Sequence, residues 1–451
     1  MAAGTVHKTI KLLQGALEQL KVDIPIHRLE QIGVMVNRAM SAQERSFHTP
    51  EHIFDLAEPG NPHMTLAALF HDIVYYQVDQ GFTPAVGEIV TPYISIQDGV
   101  ISLSNDIAAD DRAFGGCAAV FGFAPAQELS PFAGLNEFLS ALVMDCLFEG
   151  VISDSDLLIT TACIEATIPF RGQDADGLCP ADSLEVRVAT TCDTFGLGLS
   201  EADINNAVEF AVAFANKDVR NFAETNVGRF LDNTWKLLPE TNPSLRIKGM
   251  FSIGSYRIAL QKMEGFLGSL DPDTIFCRYK DTPVEEEYRS LVDLAHRNVE
   301  VAREYLGVKL LATAVLEALA DVSGGDAPIS LFMGDINATE TGGRISDFLP
   351  EARVDPEKPT EETLYNLLAL GRSSESSFDL SNSPLSLHIY TNLGTDEFHR
   401  HLRETKRMFN DEIDAVAFLR GLPTDLTTDV AGACGEMAFT RKDALAAFLD
   451  G

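Results

Sequence analysis

Positive charge is what this 451-residue chain has least of: 34 Lys and Arg stand against 67 Asp and Glu, a formal net charge of −33 at pH 7. So acidic a surface repels phosphate backbones and anionic headgroups, which argues against broad binding to nucleic acid or membranes. A small phosphorylated substrate stays possible, because a bound metal and local arginines reverse the field inside one pocket. Long apolar runs are missing too. No window approaches the ~20 apolar residues of a membrane span, and the opening MAAGTVHKTIKLLQGALEQL is amphipathic, without the apolar centre of a secretory signal. The seven cysteines are odd in number and none stands in CxxC spacing. Cys146 and Cys163 lie in apolar helical runs, where a thiol acts as a small hydrophobe. This usage fits a reducing compartment, and a cytoplasmic location is expected. GxSxG, a Cys–His nucleophile pattern, zinc-ribbon spacing and internal repeats are all absent.

The composition, 45% hydrophobic and 22% charged, is that of a globular protein, and the length suggests more than one domain. Apolar residues at helical spacing predict helices over 5–22 and 26–45. Thr49-Pro50-Glu51 and Asn61-Pro62 are two further helix starts, each with proline at the first helical position. Residues 81–128 read as an irregular insertion with short β-type runs, EIVTPYISI and VISLS. Helices are expected again at 135–149, 154–169 and through EADINNAVEFAVAFANKDVRNFAE. A first domain is expected over 1–240 and a second, mainly helical one over 241–451, with a long amphipathic helix at 284–321. GLGLSEAD and MGDINATETGGR are Gly-containing turns that lack the strand–Gly–helix setting of a phosphate loop.

Histidine is where the pattern sharpens. Four of the ten histidines, His48, His52, His63 and His71, fall in FHTPEHIFDLAEPGNPHMTLAALFHDIVYY. His71 is followed by Asp72 inside an apolar helical run, and a buried carboxylate is costly unless a metal or cation compensates it. Imidazoles and carboxylates from neighbouring helices are ligands for a divalent transition metal. His48, just before its helix, can ligate, donate a proton or cap. His63 reads as a solvated first-turn residue. Asp193, after an apolar run, and Asp218, in FANKDVRNF, are both available as a last ligand, and Asp193 is preferred. Glu137 can position or activate water or can simply face solvent near a helix start, and Glu165 has similar standing. Arg171 and Arg220 are candidates to meet a phosphate. His399 and His401, two apart, fall on different helix faces and read as solvated.

A histidine followed later by an HD pair and a further aspartate resembles the HD superfamily of metal-dependent phosphohydrolases, which are all-helical. FHTPEHIFDL is similar to the cyclic-nucleotide phosphodiesterase string. By that likeness His52 is a ligand, His48 the general acid and Asp55 an orienter of a ligand. The chain is closer to small bacterial predicted HD hydrolases. FHTPEH and FHDIVYY match their histidine strings, Asn136, Glu137, Ser140 and Ala141 an NExxSA string, Ile164, Ala166 and Thr167 an IxAT string. CDTFGLG, with Asp193, is the counterpart of the last. The resemblance covers about residues 44–225. No histidine stands between Asp72 and His296, so the second-metal ligands of dinuclear members are lacking, and one metal is implied.

The expectation is an all-α, HD-type helical bundle with an insertion and a mainly helical C-terminal region. His52, His71, Asp72 and Asp193 are expected to hold one divalent ion (Mn, Fe, Zn or Mg), with His48 and Glu137 as the catalytic groups. The expected activity is hydrolysis of a small phosphorylated compound or nucleotide. A sensing or scaffold module, or a metal oxygenase or lyase on the same bundle, is the alternative. Self-association through the C-terminal half is the expected partner surface.

Overall fold

The computed structural model describes residues 4–108, 110–247, 251–334, 343–352, 357–374, 376 and 378–450. The protein is all-α: 67% is helical, and among the described residues the strands form one small antiparallel sheet. Most of the turn 333–344 lies outside the described residues.

The chain forms two compact units, residues 1–223 with 271–295, and residues 224–270 with 296–451. In the first, α1 (Thr5–Gln19), α2 (Ile26–Met40), α3 (Pro50–Leu56) and α4 (Pro62–Phe70) follow the predicted starts. Then come the single turn α5 (Tyr76–Asp79), α6 (Pro84–Val90), strands β1 (Ile94–Gln97) and β2 (Val100–Leu103), α7 (Arg112–Phe121) and β3 (Glu128–Leu129). Helices α8 (Leu135–Phe148), α9 (Asp154–Ala166), α10 (Pro180–Phe195) and α11 (Glu201–Asp218) complete the bundle. The stretch 81–128 is thus more regular than its sequence suggests, since EIV ends a helix and only ISI and VISL are strands. They form a hairpin with Gln97 opposite Val100, turned by Asp98-Gly99, both at positive φ, the dipeptide that suits a two-residue hairpin loop.

The core of this unit is built on α4, α8 and α9. Every residue of α4 from Met64 to Phe70 is buried, and α8 buries all but three of its residues, Glu137, Cys146 and Leu147. Helix α9 packs on α4, α8 and α11. Residues 271–295 belong here because they are stapled to α11. Asn216 donates to the Cys277 carbonyl (2.7 Å) and accepts from the Cys277 amide (2.8 Å), and the Tyr279 hydroxyl donates to Asn205 (3.0 Å). No shift in composition marks that return, so the division lies after Ala223 instead of near residue 240.

The second unit holds α12 (Val227–Thr241), α13 (Ile253–Ser269), most of α14 (Glu285–Ser323), α15 (Ile329–Met333), α16 (Glu362–Ala369), α17 (Pro384–Phe409), α18 (Ala415–Gly421), α19 (Thr424–Met437) and α20 (Lys442–Asp450). Helix α17 is broken at Gly394, where φ is +71° and a Cβ would meet the Lys358 backbone at 3.0 Å. Among the described residues no helix is long and apolar enough to cross a membrane.

Candidate metal centre

Helix α4 is started by Asn61, whose side chain accepts from the Met64 amide at 3.1 Å. It stops at Phe70, so His71 is the C-cap, its amide still bonded to the Ala67 carbonyl (2.8 Å). The His–Asp pair therefore straddles a helix end, where Asp72 is free of the helical backbone. His71 is buried, and its Nδ1 lies 3.1 Å from the Ala68 carbonyl. A carbonyl only accepts, so Nδ1 carries the proton and Nε2 is left to face the cluster.

Around Nε2 the donors converge. It is 3.0 Å from Asp72 Oδ2, 3.3 Å from His52 Nε2 and 3.8 Å from Asp218 Oδ1. His52 Nε2 lies 3.0 Å from Asp218 Oδ1 and 3.6 Å from Asp72 Oδ2. Metal bonds of about 2.1 Å put neighbouring donors roughly 3.0–3.5 Å apart, close to this spacing. His52, His71 and Asp218 could hold a metal ion, and Asp72 reaches both imidazoles.

The expected last ligand, Asp193, is not among them. Helix α10 turns Ala181, Leu184, Val188 and Cys192 inward, and Asp193, one residue on, is exposed. Asp218 takes the place instead. It continues the buried row Ala207, Ala211, Phe214 of α11 at i, i+4, i+7, i+11, and the Phe214 ring meets His71 edge-on at 5.6 Å. That apolar row was the signal available in the sequence.

Charge shapes the cluster. Burial disfavours the His71 imidazolium, but the Asp72 carboxylate, helped by Asp218, raises its pKa to about 9. Burial also opposes the Asp72 charge, yet His71, His48 and His52 hold it well below the ordinary carboxylate range. His48 stands beside the site, edge-on to the Tyr75 ring at 4.8 Å.

Glu137 lies in the first turn of α8, and its Oε2 is buried without a hydrogen-bond partner. Burial pushes its pKa up to about 7, with Asp72 adding to the rise and Arg171 opposing it. The turn is placed by Gly134, at φ +91°, where a Cβ would lie 2.5 Å from the Ile168 side chain.

Residues not expected at the site hold its backbone. Ser140 Oγ accepts from the Val74 amide and Asn136 Oδ1 from the Tyr76 amide, both at 3.1 Å. Buried Arg45 donates to the Asp72 carbonyl (2.7 Å) and forks onto Asp79 at 2.9 and 2.6 Å. Asn136 and Ser140 flank Glu137 in the NExxSA string, so that string aims one side chain and ties down the loop after Asp72 with two others.

The remaining candidates lie elsewhere. Asp55 is exposed on α3. His63 is not merely solvated, because it pairs with Asp156 at 2.9 Å. Glu165 is buried between Arg171 (2.6 Å) and Arg187 (2.5 Å). Arg220 is exposed, 3.6 Å from Glu287. His399 lies 3.5 Å from Glu304, whereas His401 is buried.

The chain matches no family model, no curated protein and no solved structure.

Proposed function

We propose that the first unit is an HD-type, metal-dependent phosphohydrolase acting on a small phosphorylated compound or nucleotide. The observation that carries this reading is the convergence of His52, His71, Asp72 and Asp218 from α3, the end of α4 and the end of α11, beside a buried, unpartnered Glu137 oxygen. Two imidazoles with two carboxylates suit Zn²⁺, Fe²⁺ or Mn²⁺ better than Mg²⁺, which prefers an all-oxygen shell. When bound, the ion supplies Lewis acidity toward a phosphoryl oxygen and lowers the pKa of its water. Glu137, with a pKa of about 7, is matched to accept a proton from the attacking water near neutrality. His48, at the rim and within electrostatic reach of Asp72, donates a proton to the leaving oxygen.

The test is metal analysis of the purified protein beside His71→Ala and Asp218→Asn, followed by a phosphatase screen on nucleotides and sugar phosphates. About one ion per chain in wild type, lost in both folded variants, with hydrolysis by wild type alone, is the expected result. A wild type that takes up no metal after reconstitution, or hydrolysis that survives both substitutions, overturns the proposal. The two-histidine, carboxylate set also suits a non-haem iron oxygenase. A wild type that holds iron and consumes dioxygen without cleaving phosphoesters would put that reading first.

A further inference from the structure

The second unit contains a pocket unrelated to the metal centre. Its walls are apolar, from Phe251, Ala312, Leu316, Ile329, Met333 and Leu385, and they surround about 810 Å³ of atom-free space, mouth included.

One end is polar and built of buried groups. Lys309 Nζ lies 2.9 Å from Asp379 Oδ2 and 3.3 Å from Ser383 Oγ. The same Asp379 oxygen accepts from Trp235 Nε1 (2.9 Å), the Tyr256 hydroxyl (3.3 Å) and Arg372 (3.4 Å). Arg372 in turn faces Asp232 at 3.4 Å. Two cations and two carboxylates therefore cancel, and Arg344, a further cation in the wall, is already engaged, so a charged ligand would be left without a counter-ion in a low-dielectric pocket. Hydrogen-bonding capacity remains. Every side-chain donor meets Oδ2, so Asp379 Oδ1 has no donor among the described residues, and the Lys309 ammonium has a third proton beyond its two partners. An acceptor and a donor thus stand side by side at the end of an apolar chamber.

We propose that this pocket binds an uncharged, mainly apolar small molecule carrying a hydroxyl or amide head, which donates to Asp379 Oδ1 and accepts from Lys309 Nζ. The head satisfies the two open positions and the body fills the space between Ala312, Leu316 and Met333.

Three probes with one apolar body test this: 2-naphthamide, naphthalene and 2-naphthoate, titrated calorimetrically into the full chain. Emission of the single tryptophan, Trp235, gives a second readout at the polar end. Saturable binding of 2-naphthamide at one site per chain is expected, with the headless and anionic probes weaker by about tenfold or more, as hydrogen bonds to an ammonium and a carboxylate imply. Ala312→Leu and Ser386→Leu, on two different helices lining the pocket, should each weaken 2-naphthamide by a similar factor while the circular dichroism spectrum is kept. Should one variant fail to fold, the other and the probe series decide. Equal affinity for all three probes, no saturable binding, or undiminished binding in every folded variant overturns the proposal.

Discussion

His71 in the metal-free chain shares its Nε2 with Asp72, and this pairing has a pH signature. Its folded pKa of about 9 lies above the ordinary 6.5, so the pair's contribution is complete below pH 6.5 and disappears as pH rises through 9. Its size is on the order of 3 kcal/mol. The urea midpoint of metal-stripped protein should therefore fall between pH 7.5 and 10 (roughly one unit or more either side of that pKa), and in His71→Gln that fall should be absent. An unchanged slope in the variant would assign the alkaline loss to other groups. Glu137 gives a second prediction at this scale. Glu137→Gln should keep the metal and lower hydrolysis by about 10²–10⁴-fold, the usual cost of losing a positioned proton acceptor. Metal content and kcat measured together check it, and loss of the ion would instead make Glu137 a structural support of the cluster.

Helix α8 acts at the next scale by holding the segment that follows Asp72. Its Ser140 and Asn136 side chains satisfy the buried Val74 amide and the half-buried Tyr76 amide, and removing either acceptor leaves a shielded donor unmet. Ser140→Ala and Asn136→Ala should each cost about 1–3 kcal/mol by urea unfolding. Each should also weaken metal binding about 10–100-fold through the displaced carboxylate, as outer-shell partners do elsewhere. Equilibrium dialysis against a metal buffer measures the second effect. A variant that loses stability but binds metal as tightly as wild type would confine the helix to a folding role. Elements also explain the limits of reading this chain linearly. Burial of α4 was legible from seven consecutive apolar or small residues, as were both of its start signals. Its end was not, because nothing in LFHDIVYY marks where the backbone leaves the helix.

In the whole molecule, the second unit has its own buried charge cluster, and the only tryptophan reports on it. Asp379→Asn removes the counter-charge of Lys309 and weakens that of Arg372. Breaking such a buried pair should cost about 3–5 kcal/mol, seen as a lower urea midpoint followed by Trp235 emission. A midpoint within experimental error of wild type would mean that water enters and solvates the cluster. Composition and periodicity by themselves determined that the chain is helical, that no window is apolar enough to span a membrane, and that His71 and Asp72 are metal-ligand candidates, since a carboxylate next to a histidine in an apolar run needs compensation wherever that run folds; the family resemblance added His52. Only the tertiary structure decided between Asp193 and Asp218. Both follow apolar helical stretches, and linear order cannot tell which face of α10 or α11 is turned inward. The packing of α11 on α9 and α4, with Phe214 against His71, brings Asp218 to the histidines and leaves Asp193 in solvent. Ligand geometry is a property of three-dimensional helix packing, and that is fixed by contacts far apart in the chain.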